Sequence, residues 1–144
     1  MKKIVIFLLC LLAISILYVV FEETPKEIYE KGVSAYQEGD YSSAIDFFEK
    51  AAAEGYGPAG TALGKMYAQG KGVEPDDYKA FQYYYKVGAG FCDPEGEFLT
   101  GLCYYDGVGT SKNELMGITF IIRAASQGYT DAIKFCVMRD IKYE

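Results

Sequence analysis

The stretch LGKMYAQGKGVEPDDYKA, residues 63–80, contains three glycines and two tyrosines, and part of its pattern recurs further along the chain. A shift of 37 residues places a second Gly-x-x-Tyr-x-x-Gly-x-Gly series on the first. The matched residues are Gly64 and Gly101, Tyr67 and Tyr104, Gly70 and Gly107, and Gly72 and Gly109. Because the spacing is preserved, the series indicates a repeating structural unit.

The Gly-x-Gly pairs have two interpretations, a phosphate-binding loop or a turn. A phosphate-binding loop has the pattern G-x-x-x-x-G-K-[ST], in which the last residue supplies a hydroxyl group. The segment GTALGKM, residues 60–66, lacks one spacer, and Met66 stands where the hydroxyl is needed. Both pairs follow the first helix of a predicted helix pair, so they predict turns that need positive φ angles.

Apolar residues elsewhere follow helical spacing between glycine and proline breaks. Ala44, Phe48 and Ala51 lie three and four positions apart, as on one buried helical face. The predicted helices cover residues 24–39, 41–54, 58–69, 76–87, 95–105, 113–127 and 130–140. No segment alternates with period two for long enough to predict a sheet. Repeating helix pairs predict an all-α fold over residues 24–144, a short α-solenoid of about three helix–turn–helix repeats and a terminal helix.

Small residues occur where the two helices of a pair should cross. Gly64 and Gly101 fall in the middle of a first helix, where glycine costs about 1 kcal/mol relative to alanine. This cost predicts a partner helix so close that a side chain would hold it away. Ala80 and Gly117 are predicted to serve the same contact from the second helix, and Tyr84 is predicted to be a core residue.

These residues resemble the Sel1-like repeat family, a relative of the tetratricopeptide repeats. The family pattern is A-x-x-x-L-G-x-x-Y-x-x-G-x-G-V, followed by D-x-x-K-A. The first copy fits at Ala59, Leu63, Gly64, Tyr67, Gly70, Gly72, Val73, Asp76 or Asp77, Lys79 and Ala80; the more degenerate second copy fits at Gly101, Tyr104, Gly107, Gly109, Ala124, Ala125, Gly128 and Ala132. The resemblance implies an α-solenoid and a role as an adaptor in membrane-associated complexes.

A candidate partner-binding face lies on the first helices, which line the concave side in solenoids of this type. The shift of 37 residues sets Phe98 against Thr61 and Leu102 against Lys65. Tyr105 joins the candidate face, since positions i, i+4 and i+7 share one side of a helix. This face changes from polar to apolar along the chain. Two alternatives stay open: the terminal helix covers the apolar part, or that part is exposed for a partner.

The first 23 residues predict a membrane segment. Residues 4–21 carry no charge, and roughly 17–25 apolar residues span a membrane. Bulky residues at the end of the run disfavour a cleaved signal peptide, and Leu9 before Cys10 disfavours a lipoprotein signal. The preferred interpretation is a single-pass anchor in a bacterial inner membrane, with the repeats in the periplasm. Cleavage would instead leave a periplasmic or secreted domain.

Charge and composition restrict the function. Residues 22–144 carry 12 basic and 20 acidic side chains, a net charge of −8, which argues against binding to nucleic acid. This charge either keeps the domain soluble or attracts a basic protein partner. The chain has no histidine, and no serine is followed three residues later by lysine. We therefore predict no catalytic, metal-binding or cofactor-binding residues.

Three cysteines lie outside the apolar segment. Cys92 and Cys103 are the nearer pair, and a disulfide between them is one interpretation for an oxidising compartment. The other interpretation is that the thiols pack as small apolar groups.

Three functions are compatible with these observations. The first is a non-catalytic scaffold or adaptor, anchored in the inner membrane, that binds a protein partner. The second is an immunity protein, an anchored inhibitor that neutralises a toxin delivered to the periplasm. The third is a cell-envelope hydrolase, which the absence of histidine and of a serine–lysine motif disfavours.

Overall fold

The computed structural model describes residues 23–90 and 93–143. Within these ranges the chain forms seven α-helices, in agreement with the all-α prediction. Their bounds are α1 Pro25–Glu38, α2 Tyr41–Ala53, α3 Gly57–Gln69, α4 Asp77–Gly90, α5 Pro94–Asp106, α6 Glu114–Ser126 and α7 Thr130–Met138.

Polar side chains begin several of the helices. Thr24 and Glu27 form a reciprocal capping box at α1, in which the Glu27 amide donates to the Thr24 hydroxyl and the Thr24 amide donates to the Glu27 carboxylate. Asp40 and Asp76 accept hydrogen bonds from backbone amides at the starts of α2 and α4. An N-cap of this kind stabilises a helix by about 1 kcal/mol. These caps explain why the helices begin at the glycine- and proline-rich breaks.

The helices pack as a solenoid. Helices α1 and α2, α3 and α4, and α5 and α6 form three hairpins, and the second helix of each hairpin contacts the first helix of the next. Helix α7 packs against α6 in the place of a fourth first helix. This arrangement confirms the prediction of three helix pairs and a terminal helix.

Glycine lets the paired helices approach closely. A Cβ atom on Gly64 would lie 2.4 Å from Cε1 of Tyr84, and one on Gly101 would lie 2.6 Å from Cγ1 of Ile121. Tyr84 and Ile121 are buried at matching places in α4 and α6. The predicted role of the mid-helix glycines, and the core position of Tyr84, are confirmed.

The repeated tyrosines form a second contact between the two helices of a hairpin, in addition to the one at the mid-helix glycines. Tyr67 stacks on Tyr83 with ring centroids 5.6 Å apart, and Tyr104 stacks on Phe120 at 6.0 Å. Offset aromatic pairs of this kind contribute about 0.5–1.5 kcal/mol beyond area burial. The recurrence of Tyr67 and Tyr104 is therefore explained by packing within each hairpin.

The Gly-x-Gly segments are turns that fold back onto the preceding hairpin. Gly70, Gly72, Gly107 and Gly109 all have φ angles between +64° and +79°. A Cβ on Gly72 would lie 2.5 Å from Cβ of Tyr41 at the start of α2. The turn prediction is confirmed, and the structure adds that each turn contacts the helix start of the previous repeat.

The predicted membrane segment, residues 4–21, lies outside the described residues, as does the rest of residues 1–22. Among the helices in residues 23–90 and 93–143, none combines the length and the apolar content that crossing a membrane requires. The anchor therefore stays a prediction from the sequence.

Buried thiols lead to a prediction about reactivity. Cys103 and Cys136 are both buried, and burial raises the pKa of Cys103 to about 11. At pH 8 a thiol of that pKa is ionised about a hundredfold less than an ordinary cysteine. We expect iodoacetamide to label Cys103 only after unfolding, as measured by mass spectrometry with and without urea. Rapid labelling of the folded protein would contradict this burial.

Cys92 lies outside the described residues, so the Cys92–Cys103 disulfide stays a prediction. Repeating the labelling after reduction checks it.

Candidate functional site

The apolar part of the predicted face is covered by the terminal helix. Phe98 lies 5.4 Å from Tyr129 and 6.4 Å from Phe135, measured between ring centroids. Tyr105 meets Phe135 edge to face at 5.3 Å, and Leu102 packs in the same cluster. Of the two alternatives for this face, the structure shows the covered one.

The polar part of the predicted face divides between core and surface. Thr61 is only 1% exposed, and its hydroxyl donates to Oδ2 of Asp93 at 3.5 Å. Thr61 therefore belongs to the core, because the start of α5 lies over it. Lys65 remains half-buried, and its ammonium donates to Oε1 of Glu95 at 2.5 Å.

An open groove remains between α1 and α3, next to Lys65. Its volume is about 210 Å³. We call it the α1–α3 groove; its lining consists of Tyr29, Val33, Tyr36, Phe48, Pro58, Thr61, Ala62, Lys65, Gln69 and Glu95. The floor is apolar and aromatic, and the charged groups lie at the rim beside α5. The groove lies on the side formed by the first helices, where the sequence predicted a binding face.

Helix α1 supplies one wall, and sequence analysis did not single out its residues. Tyr29, Val33 and Tyr36 are spaced i, i+4 and i+7, so they share one face of α1. Tyr29 is held by Phe48 at 5.4 Å and by Tyr56 at 5.1 Å between ring centroids. The i, i+4, i+7 spacing is a signal that could have found this wall. The opening repeat lacks the Gly-x-Gly turn that relates the other two repeats, so the period of 37 residues does not extend to this wall.

Two carboxylates have unused acceptor atoms: Glu95 lines the groove, and Asp93 lies next to it through its hydrogen bond with the lining residue Thr61. Oε1 of Glu95 accepts from Lys65 and, at 3.3 Å, from the hydroxyl of Tyr129. Asp93 caps α5 through Oδ2, which accepts from the Gly96 amide at 2.8 Å. Oε2 of Glu95 and Oδ1 of Asp93 accept no hydrogen bond from residues 23–90 or 93–143. Each carboxylate therefore has one oxygen available to an additional donor.

The tyrosines near this rim titrate at higher pH than usual. Burial raises the pKa of Tyr29, and the charges of Tyr56, Glu95 and Asp93 add to the effect. Burial and the charge of Glu95 also raise the pKa of Tyr129 to about 12. Both phenol groups are therefore neutral at physiological pH, and that of Tyr129 donates a hydrogen bond to Glu95.

Lys71 holds Tyr36, one of the residues that line the α1–α3 groove. Its ammonium donates to the hydroxyl of Tyr36 and lies 4.7 Å from the centre of that ring. The hydrogen bond with Tyr36 raises the pKa of Lys71, so the residue stays cationic. This contact ties the turn after α3 to α1 and fixes the position of Tyr36.

A buried carboxylate lies on the opposite side of α5 and is fully engaged. Glu97 is 0% exposed; Oε1 accepts from Arg123 at 2.5 Å, and Oε2 accepts from the Gln127 amide at 2.6 Å. Burial raises its pKa, while Arg123 and Gln127 act against the shift. Since both oxygens have partners, Glu97 is a link between α5 and α6.

Within residues 23–90 and 93–143, no group of three or more cysteine, aspartate and glutamate side chains is placed to hold a metal ion.

Comparison with known proteins identifies the repeat. The model of the Sel1 repeat matches residues 27–56, 60–86 and 94–129, which together cover more than half of the chain. The chain belongs to the Sel1 repeat family. The three matches correspond to the three hairpins, and repeats of this family mediate protein–protein interactions. The family resemblance found in the sequence is confirmed.

Several known proteins are similar over part of their length. The exopolysaccharide production negative regulator of Rhizobium leguminosarum bv. viciae is 33% identical over 76 residues, which is 53% of this chain and 28% of that protein. The Helicobacter pylori protein HcpC, named as a candidate β-lactamase, is 37% identical over 73 residues, 51% of this chain and 25% of that protein. The chain thus matches only about a quarter of the length of each of these two relatives.

A solved structure supports the fold over most of its length. The Sel1 repeat protein from Oxalobacter formigenes aligns with a TM-score of 0.69 and 29% sequence identity. The alignment covers 76% of this chain and 85% of that protein. The two therefore share the solenoid arrangement of helix pairs.

Proposed function

We propose that this chain is a non-catalytic adaptor that binds a protein partner in the α1–α3 groove. The observation that carries the proposal is an open, aromatic-floored groove on the side of the first helices, in a family whose repeats mediate protein–protein interactions. Its volume of about 210 Å³ is smaller than the roughly 300–1,000 Å³ of a typical small-molecule site. It suits one or two bulky side chains of a protein.

The proposal includes a place for the adaptor. Residues 4–21, with two lysines before them, would hold the repeats at the periplasmic face of a bacterial inner membrane. Helix α1 begins only four residues after this segment, so the α1–α3 groove would lie close to the membrane. Such a position would limit binding to partners that reach the membrane surface.

An adaptor role differs from that suggested by the name of one relative. HcpC is named as a candidate β-lactamase, whereas this chain has no histidine for a zinc site and no serine followed three residues later by lysine. We propose that this chain does not hydrolyse β-lactams.

An immunity protein is the second candidate function. It is favoured by the net charge of −8 on residues 22–144, which would attract a basic toxin.

The adaptor proposal is tested by crosslinking from inside the groove. A photo-crosslinking amino acid placed at position 62 of the full chain should capture a discrete partner in the native cells. The same probe at position 119, an exposed site on α6, should capture no such band. Val33→Trp fills the groove from the opposite wall and should reduce capture from position 62 about tenfold, as loss of an anchoring contact does.

Two outcomes decide against this site. A band captured from position 119 but not from position 62 would place the partner on another surface. Capture from position 62 that is unchanged by Val33→Trp would show that the groove is not what the partner fills. Circular dichroism of each variant checks that the helices are intact.

A further inference from the structure

The α1–α3 groove also indicates what its partner must carry; this inference rests on the proposed function. We propose that the groove receives a short basic segment of a protein, which seats one bulky apolar side chain on Tyr29, Val33 and Tyr36 and pairs a neighbouring arginine or lysine with Glu95 and Asp93. Two separate properties of the groove lead to this partner: its floor and its rim.

The floor accommodates an apolar side chain. Tyr29, Val33 and Tyr36 form one wall, Ala62 forms the other, and Phe48 lies beneath them. Tyr29 is fixed by ring contacts with Phe48, and Tyr36 by its hydrogen bond with Lys71, so the walls are already in place before binding. Preformed aromatic pockets of this kind favour a bulky aromatic or aliphatic anchor.

The rim favours a cation beside that anchor. Lys65 neutralises only part of Glu95, because its ammonium contacts Oε1 and leaves Oε2 without a donor from the described residues. Asp93 likewise accepts through Oδ2, for its cap and from Thr61, and its Oδ1 has no donor among the residues that the structure describes. A guanidinium presents several N–H donors in one plane, so it can reach such oxygens while Lys65 stays in place.

Overall charge supports the same partner. With a net charge of −8 on residues 22–144, the repeats attract a basic segment and repel an acidic one at long range. Lys65 and Glu95 in the lining, with Asp93 next to them, carry one positive and two negative charges. Their sum has the same sign as the charge of the whole domain. An acidic segment would meet Glu95 and Asp93 directly, and like charges brought together at an interface oppose binding.

Peptide binding to the full chain in a zwitterionic detergent tests the inference. The probes are four nine-residue peptides of glycine and serine that carry Arg and Phe, Glu and Phe, Arg and Ala, or neither. The two side chains are placed two positions apart, since such residues point to the same side of an extended chain. Binding is followed by chemical shifts of the backbone amides of Val33, Ala62 and Lys65.

We expect the Arg–Phe peptide to shift these signals and the other three to bind at least about fivefold more weakly, as loss of a charged contact or an anchor predicts. Glu95→Gln should remove most of the preference for Arg over Glu while preserving the preference for Phe over Ala. Asp93→Asn should act in the same direction, and it retains the helix cap because asparagine caps as well as aspartate.

The matched control is Glu114→Gln. Glu114 pairs with Lys112 at 2.7 Å on α6, as Glu95 pairs with Lys65, but it lies outside the groove. This variant should keep the full preference for the Arg–Phe peptide.

Equal binding of the Glu–Phe peptide would overturn the inference that the partner is basic, while the crosslinking result would still decide the adaptor proposal. Absence of any shift at the groove, or shifts confined to α4 and α6, would overturn the inference as well.

Discussion

Replacement of Gly109 by alanine should destabilise the domain by about 3 kcal/mol. Two effects contribute to this free energy. Gly109 has φ +69°, in the left-handed region, which costs a residue with a side chain about 1–2 kcal/mol. In addition, a Cβ on Gly109 would lie 2.0 Å from the carbonyl oxygen of Asp77 and 3.0 Å from Cβ of Phe81. The turn after α5 would have to move away from α4, which separates the second and third hairpins.

Gly39→Ala separates the two effects. Gly39 has φ +82°, but nothing lies within 4 Å of the position that its Cβ would take. This control should lose only the conformational part, about 1–2 kcal/mol. Urea unfolding followed by circular dichroism of the full chain measures both variants. If Gly39→Ala and Gly109→Ala lost the same stability, the contact between the turn and the start of α4 would not be a tight one.

Gly109 also shows how far the sequence predicts this fold. The period of 37 residues predicts a turn at Gly72 and Gly109, because a positive φ angle is a local property of the backbone. What the turn packs against is not local: Gly72 lies on Tyr41 and Gly109 on Asp77, and both contacts join different hairpins. The recurrence at a fixed period indicated a repeat, but the contact partner required the structure.

Helix α4 shows the same limit at its end. The segment GAGFCDP predicted a break after Val87, whereas the helix continues to Gly90. A Cβ on Gly88 would lie 2.8 Å from the backbone nitrogen of Glu97, so this glycine permits a close crossing with α5. A glycine that ends a helix and one that lets two helices cross have the same local signature. Only the position of α5 distinguishes them.

The groove lies on the predicted side of the solenoid, but most of its lining residues were not predicted. The shift of 37 residues matched Thr61 with Phe98. In the structure each of them contacts the N-cap residue of a later helix: Thr61 contacts Asp93, the N-cap of α5, and Phe98 contacts Tyr129, the N-cap of α7. The position is therefore an inter-repeat contact, polar at one junction and aromatic at the next. The open groove arises one repeat earlier, where α1 adds Tyr29 and Tyr36. Periodicity predicted a side of the solenoid on which the structure has an open groove, and the pairing of particular side chains decided which part stays open.

Replacement of Arg123 by alanine should cost about 2–3 kcal/mol, because it leaves the buried carboxylate of Glu97 without its cation. The cost is below that of a fully buried ion pair, since the Arg123 side chain is 45% exposed and solvent screens the pair. Glu97 is 0% exposed, and among the described residues Gln127 would remain its one side-chain donor. The loss should exceed that of Lys134→Ala, which breaks an exposed ion pair with Asp131 at 3.0 Å and should cost about 0–1 kcal/mol.

The pH dependence of the Arg123→Ala variant identifies the carboxylate as the cause. Burial already raises the pKa of Glu97 in the folded protein, and Arg123 opposes that shift. Without Arg123 the folded pKa rises further above the unfolded value, so the folded state binds the proton more tightly than the unfolded state. The contribution of Glu97 to the stability of the variant is then fully present below the ordinary pKa of glutamic acid and is lost as the pH rises through the folded pKa.

The expected result is a larger difference between Arg123→Ala and the unmodified chain at pH 8 than at pH 5, measured by urea unfolding. Adding Glu97→Gln to Arg123→Ala should recover part of the loss at pH 8 and remove most of the pH dependence, since glutamine is neutral at both values. A penalty independent of pH would show that Arg123 acts through packing instead, because its guanidinium also lies 5.4 Å from the centre of the Phe120 ring. In that case Arg123→Lys, which keeps the charge but loses the planar contact with the ring, would be as destabilising as Arg123→Ala.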